Sequence, residues 1–123
     1  MTATLASNVE ELIREQHLFD LLADRFVANS ASVALDDGDV SWTYGELLED
    51  IDAVAGELLR RGLRPGDRIA FGAPPTGRFV VVYLAAVSIG CVWMGLNPKY
   101  TARELEYILR DAEPKLNLTH NVA

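Results

Sequence analysis

The chain has 123 residues and a formal net charge of −7, and half of its residues are hydrophobic. A chain of this size can form one domain with a buried core. The acidic balance and the lack of any Lys/Arg run argue against a nucleic acid or an anionic membrane as partner. The single cysteine, Cys91, cannot form an internal disulfide, and the first residues lack the basic region of a signal peptide. These features predict a cytoplasmic protein.

Two helices and a hairpin are predicted first. Ser7–Gln16 begins with capping-box spacing, and Leu18–Ala28 repeats apolar residues at helical period. Ser32–Leu35 and Val40–Trp42 then alternate as strands around an Asp-Gly turn at residues 36–39, where glycine accepts a positive φ. The three carboxylates of this turn allow a calcium-site hypothesis, but their spacing does not match a calcium loop. A solvated turn is the preferred interpretation.

The longest predicted helix is Tyr44–Arg61. Thr43 and Glu46 have the spacing of a second capping box, and Gly62 is a natural stop. The acidic residues of this helix are interpreted as a solvated face. The apolar positions at helical period predict a buried stripe of Leu47, Ile51, Val54, Ala55, Leu58 and Leu59.

A strand, Arg68–Gly72, is followed by the loop Gly72–Gly77. The glycines of this loop have the spacing of a phosphate-binding loop, which is one interpretation. Arg78 and the next residue stand where such a loop needs Lys-Ser/Thr, and the two prolines lack amide protons. The alternative is a rigid turn in which Thr76 caps the next helix.

The stretch Phe79–Leu96 carries no charge over 18 residues, long enough to raise the hypothesis of a single membrane-spanning helix. Gly90 divides it, however, and Asn-Pro follows it. We therefore predict a helix, Phe79–Ile89, and a buried strand, Cys91–Leu96, which is half of a βαβ unit.

The last predicted elements are the helix Ala102–Asp111 and the strand Lys115–Thr119. Thr101 and Glu104 form a third capping-box pattern, and His17 and His120 are too isolated to suggest a metal site. The helix is expected to bury Leu105, Ile108 and Leu109. Strands that alternate with helices predict an α/β, three-layer sandwich-like partial domain with a mainly parallel sheet, βαβ crossovers and an N-terminal β-hairpin.

Several segments, in order, resemble the AMP-forming adenylating enzymes. Trp42–Leu47 (WTYGEL) resembles the first core motif of that superfamily, and Ala86–Pro98 (AVSIGCVWMGLNP) resembles the second. Arg64–Ala70 is similar to the turn and strand between them, and Asn97–Leu105 resembles the acyl-CoA synthetase branch most. One departure from the family pattern is Gly95, where many relatives have proline.

The resemblance implies a fatty-acid (or related carboxylate)–CoA ligase that uses ATP, Mg²⁺ and CoA. In the family the phosphate loop, the metal-binding glutamate and the lysine of the C-terminal lid follow these motifs. Residues 1–123 are therefore expected to be an N-terminal α/β subdomain fragment of the large AMP-binding domain, without a catalytic, cofactor-binding or metal-binding residue and inactive alone. Its uncovered apolar surface predicts a homo-oligomer. The alternative is a stand-alone α/β interaction module without catalysis.

Overall fold

The computed structural model describes residues 18–119, so that the predicted helix Ser7–Gln16, His17 and His120 lie outside the described residues. Within this range the chain alternates helices and strands as the sequence predicts. In chain order the elements are α1 (Leu18–Ala28), β1 (Val33–Asp36), β2 (Ser41–Thr43), α2 (Tyr44–Arg60), β3 (Arg68–Gly72), α3 (Gly77–Ser88), β4 (Val92–Gly95), α4 (Ala102–Ala112) and β5 (Leu116–Thr119).

Threonine side chains begin three of the helices. The Oγ1 atoms of Thr43, Thr76 and Thr101 each accept a hydrogen bond from a backbone amide three residues later, at 3.1, 3.3 and 3.2 Å. The capping box predicted at Thr43 is complete, because Glu46 accepts the Thr43 amide in return. At Thr101 the threonine half of the predicted box is present. These caps explain why α2 and α4 start at the residues that the sequence predicts, whereas α3 starts at Gly77, two residues before the predicted Phe79.

Two separate sheets are formed. Strands β1 and β2 pair antiparallel as the predicted hairpin, and β4, β3 and β5 form a parallel sheet in that order. The crossover from β3 to β4 runs toward one edge, and the crossover from β4 to β5 runs back past β3 toward the other. Because such crossovers are right-handed, α3 and α4 lie on opposite faces of the sheet. The predicted three-layer α/β architecture with a hairpin is confirmed.

The core lies on the face of the sheet that α3 covers. Trp93 of β4 contacts Phe79 and Tyr83 of α3, with ring centroids 5.5 and 5.2 Å apart. Helices α1 and α2 pack against α3 on the same side. The buried cluster comprises Phe19, Trp42, Leu47, Ile51, Ala55, Leu58, Leu63, Ile69, Val81, Ala85, Ala86 and Cys91.

Helix α4 covers the other face more thinly. The expectation that Leu105, Ile108 and Leu109 are buried is wrong, because all three are only half-buried. The predicted burial of the α2 stripe is also wrong in part, because Leu59 is 41% exposed and Val54 is half-buried. Helical period identifies the face of a helix, but burial needs a neighbour, and within the described residues no second helix packs beside α4.

The uncharged stretch divides as predicted into a helix and a strand. Helix α3 is capped by Ile89, and Gly90 follows with a φ of 78°, a backbone conformation that glycine adopts at low cost. Among the residues described, no helix has the length and apolar character needed to cross a bilayer. The single-span hypothesis is therefore not supported by the structure of this stretch.

Candidate functional site

The carboxyl end of the parallel sheet is the first place to look for a ligand. In open α/β sheets, ligands bind outside the carboxyl ends of the strands, near the point where crossovers change direction. Here the two crossovers run in opposite directions from β3 and β4. The loop of residues 72–77 follows β3 at this end, and the turn of residues 96–100 follows β4.

The loop of residues 72–77 is a rigid turn that leads into α3. The Thr76 amide donates to the Pro74 carbonyl at 2.8 Å, and the Thr76 hydroxyl caps the helix. The Gly77 amide, which a phosphate would need, already donates to Oδ2 of Asp37 at 2.9 Å. Pro74 and Pro75 have no amide proton to offer. The geometry therefore favours the rigid-turn interpretation over a phosphate-binding loop.

Asp37 connects the hairpin to the start of α3. Its Oδ1 atom accepts hydrogen bonds from the amides of Asp39 and Val40 at 3.0 and 2.9 Å, while Oδ2 accepts from Gly77. The bonds from Val40, Gly77 and Asp39 hold the pKa of the Asp37 carboxyl below its ordinary value of 3.8. The carboxylate is thus charged at neutral pH and occupies the positive end of the α3 dipole.

Trp42 makes the second connection between the hairpin and the helices. Its indole Nε1 donates to Oδ2 of Asp50 on α2 at 2.8 Å, and its ring packs against Gly77. A Cβ atom on Gly77 would lie 2.7 Å from Trp42 Cη2, closer than van der Waals contact permits. Glycine is required here because of this close approach. Backbone conformation is not the reason, because the φ of Gly77 is not positive.

Sequence reasoning did not find these contacts. Asp37 and Gly77 are 40 residues apart, and the pattern marked the one as a turn residue and the other as the end of a loop. In the sequence, Trp42 and Gly77 belong to separate motifs. The sequence signal for this contact is a glycine, Gly77, near the start of a helix, together with an aspartate, Asp37, in a tight turn.

A cavity of 360 Å³ lies where the hairpin turn, β3 and α3 meet. Its floor is apolar, and its charged groups are two aspartates and one arginine. The lining residues are Asp37, Asp39, Val40, Phe71, Ala73, Pro74, Thr76, Arg78, Phe79 and Val82. Its volume is at the small end of the range for ligand pockets, about 300–1,000 Å³. The cavity is open, and the geometry does not place a nucleophile or an acid–base pair within it.

The described residues do not form a metal site. Within residues 18–119 there is no group of three or more His, Cys, Asp or Glu side chains that could hold an ion. In the hairpin turn, Asp36 and Asp37 direct carboxylate oxygens at backbone amides rather than at a shared centre. The calcium hypothesis is not supported, and the Mg²⁺ that the family resemblance implies has no fitting ligand set among these residues.

Cys91 is a buried thiol at the start of β4. It is 8% exposed, and its Sγ donates to the Arg64 carbonyl at 3.6 Å. Burial raises the pKa of the Cys91 thiol, and the negative charge of Asp67 adds to this effect. The residue is therefore a small packing group rather than a nucleophile in this structure.

Comparison with known protein families places these elements in context. A family model described as AMP-binding enzyme matches residues 22–123. The mitochondrial medium-chain acyl-CoA ligase ACSF2 of Pongo abelii is 38% identical over 91 residues, covering 74% of this chain and 15% of that protein. Enterobactin synthase component F of Escherichia coli K12 is 32% identical over 114 residues, covering 93% of this chain and 9% of that protein.

A solved structure agrees with these sequence relatives. ATP-bound MatB of Rhodopseudomonas palustris superposes with a TM-score of 0.76 and 36% identity, covering 82% of this chain and 20% of that one. The chain thus spans about 15% of the length of the first curated relatives that it matches.

Proposed function

The chain belongs to the AMP-binding, adenylate-forming enzyme family, and from this membership we propose that the complete protein is an acid–CoA ligase. It condenses a carboxylic acid, of the fatty-acid or a related class, with ATP to an acyl-adenylate and releases pyrophosphate. It then transfers the acyl group to the thiol of CoA and releases AMP. Its partners are these small molecules and not nucleic acid.

The observation that carries this choice is the 38% identity to an acyl-CoA ligase over 91 residues. The 32% identity to a component of enterobactin synthase extends over 114 residues and supports a second candidate. In that candidate the acid is an amino acid or aryl acid and the acceptor is a carrier-bound thiol. Both candidates share the adenylation step and differ in the class of acid and in the acceptor.

In this proposal the described residues are scaffold. Asp37 and Trp42 hold the hairpin on α2 and α3, and this contact fixes the loop that leaves β3 at the carboxyl end of the sheet. Mg²⁺ would shield the phosphate charges during nucleotidyl transfer. Because residues 18–119 offer no ligand set for it, we assign no metal ligand and no catalytic residue to them.

The 123-residue chain alone is proposed to be inactive. The one loop with phosphate-loop spacing has its Gly77 amide engaged by a carboxylate, which repels a phosphate at the same place. The test is acid-dependent ATP–pyrophosphate exchange with the purified 123-residue chain and a panel of fatty, aryl and amino acids. Exchange above a protein-free control would contradict this part of the proposal.

The full activity is tested on the polypeptide translated from the complete reading frame that contains these residues. We expect acid-dependent exchange, and acyl-CoA and AMP in equal amounts when CoA is added. Exchange without acyl-CoA, but with acylation of a phosphopantetheinyl carrier domain, would favour the second candidate. No exchange with any acid, from a folded protein, would favour the stand-alone interaction module and overturn the ligase proposal.

A cytoplasmic location is also part of the proposal. It rests on the single buried cysteine, which cannot form an internal disulfide. The similar ligase of Pongo abelii is a mitochondrial protein by its name. Fractionation of cells that express the complete reading frame tests this point, and recovery with an organelle or membrane fraction would contradict it.

A further inference from the structure

Helix α4 presents a charged surface with one aromatic residue at its centre. Tyr107 is 70% exposed and stands beside a groove of 450 Å³ that is lined by Arg103, Glu104, Tyr107 and Ile108. The half-buried side of the helix faces the sheet, so the Tyr107 side is the outermost surface of this layer. An aromatic ring exposed to this degree is suited to contact with another protein surface.

Four of the five charged residues of α4 are sorted by sign around Tyr107, and the exception is Glu106. With 3.6 residues per turn, Arg103 and Arg110 lie along one flank of Tyr107, and Glu104 and Asp111 lie along the other. Each flank repeats after seven residues, which is two turns. Within residues 18–119, Arg103, Glu104 and Asp111 have no ion-pair partner, whereas Arg110 pairs with Glu106 on the same helix. One helix face thus has a basic edge and an acidic edge.

We propose that α4 pairs in parallel with α4 of a second copy of this chain. A two-fold axis parallel to the helices places the basic flank of each copy against the acidic flank of the other. This arrangement forms pairs between Arg103 and Glu104, and between Arg110 and Asp111, twice each around the two Tyr107 rings. An antiparallel pair would instead set acidic against acidic and basic against basic.

The pair is weak and depends on the protein concentration. One helix per copy buries less surface than the total of about 1,200 Å² that stable interfaces reach. The net charge of −7 on each copy opposes approach, but at 0.1 M salt such long-range repulsion is screened within about 10 Å. Contacts between adjacent flanks are shorter than this distance, so their sign decides the orientation.

The experiment is sedimentation equilibrium of the 123-residue chain and its variants over a concentration series in 0.1 M salt. Arg103→Glu places like charges at two of the four pairs and should raise the dimer dissociation constant about tenfold. Asp111→Arg should do the same through Arg110. Both changes favour the helix itself, because an acid is added to its first turn or a base to its last. A loss of dimer therefore cannot be assigned to a loss of helix, and circular dichroism of each variant checks that its helix content is unchanged.

Mixing two variants should restore the dimer. The Glu104→Arg chain should also be mostly monomeric by itself. An equimolar mixture of the Arg103→Glu and Glu104→Arg chains should recover the dimer, because each introduced charge then meets an opposite charge. The control is Arg25→Glu on α1, on the other side of the sheet. It makes the net charge more negative by the same amount as Arg103→Glu and should leave the dimer unchanged.

Three results would overturn the proposal. A monomer at every concentration excludes the pair. Tighter association of Arg103→Glu and Asp111→Arg would indicate the antiparallel arrangement. A dimer that none of these variants changes would indicate pairing through a sheet edge or an exchanged N-terminal segment instead.

Discussion

On one face of the parallel sheet, three helices and the hairpin enclose side chains such as Ile51 and Ile69, which are 0% exposed. On the other face, α4 is the one helix among residues 18–119 that covers the strands, and the apolar residues on its inner side remain half-buried. Helix α2 on the first side and α4 on the second both have apolar residues at helical period along one side. The difference teaches that a period in the sequence reports which face of a helix is apolar, while the depth of burial depends on how many neighbours the fold supplies.

The largest expected effect comes from a matched pair of isoleucine truncations. Ile51→Ala empties a fully enclosed site on α2 and should lower the free energy of unfolding by about 2–5 kcal/mol. Ile108→Ala, on the half-buried side of α4, should cost about half as much or less, since solvent already reaches the site. Urea denaturation of both variants measures the difference. Equal losses would contradict the contrast between the two faces.

The close contact between the hairpin and α3 is tested by two glycine substitutions. Gly77→Ala forces a methyl group into the Trp42 ring and should destabilise the protein by about 1–3 kcal/mol. Gly56→Ala in the middle of α2 meets nothing within 4 Å and should stabilise by about 0.4–1 kcal/mol. Thermal unfolding of the two variants reports both signs. A neutral Gly77→Ala would mean that the hairpin does not rest on α3.

A smaller, pH-dependent effect is expected from Asp37. Its pKa is lowered in the folded state, so the stabilisation is complete at neutral pH and disappears as the pH falls below the unfolded value of 3.8 toward the folded pKa. Asp37→Asn should therefore be less stable than the parent chain at pH 7, and the two stabilities should converge in acid.

Denaturant titrations at several pH values between neutrality and acid measure this convergence. The pKa values of Glu57 and Asp67 are lowered too, so the Asp37→Asn variant keeps some acid sensitivity. Asp52→Asn on the exposed face of α2 serves as the control. A gap between Asp37→Asn and the parent chain that stays constant down to strong acid would contradict the assigned role.

The last effect concerns the rate at which the thiol of Cys91 reacts, and not stability. Because the thiol is buried and its pKa is raised, a thiol reagent should label it slowly in the native protein and quickly in denaturant. Absorbance of the released chromophore follows the reaction. Equal rates in both conditions would show that β4 is not enclosed as described.

Local features of the fold could be predicted from sequence, and long-range ones could not. The threonine caps at residues 43, 76 and 101 and the glycine after α3 follow from backbone chemistry within a few residues, so the helix bounds were predicted almost correctly. The Asp37–Gly77 and Trp42–Asp50 contacts depend on where the hairpin folds over the helices. No spacing rule encodes that placement. For the same reason the expectation that Leu59 and Leu105 are buried is wrong, because helical period does not show whether a neighbour covers a side chain.

Amide hydrogen exchange across the whole described chain tests the central claim, which is that one face of the sheet is packed and the other is thinly covered. The amides of α2 and α3 should exchange only through global unfolding, whereas those of α4 should exchange faster, through local opening at lower free energy. The measurement should be made at low protein concentration, where association of α4 does not protect it. Equal protection of α2, α3 and α4 under these conditions would contradict the account.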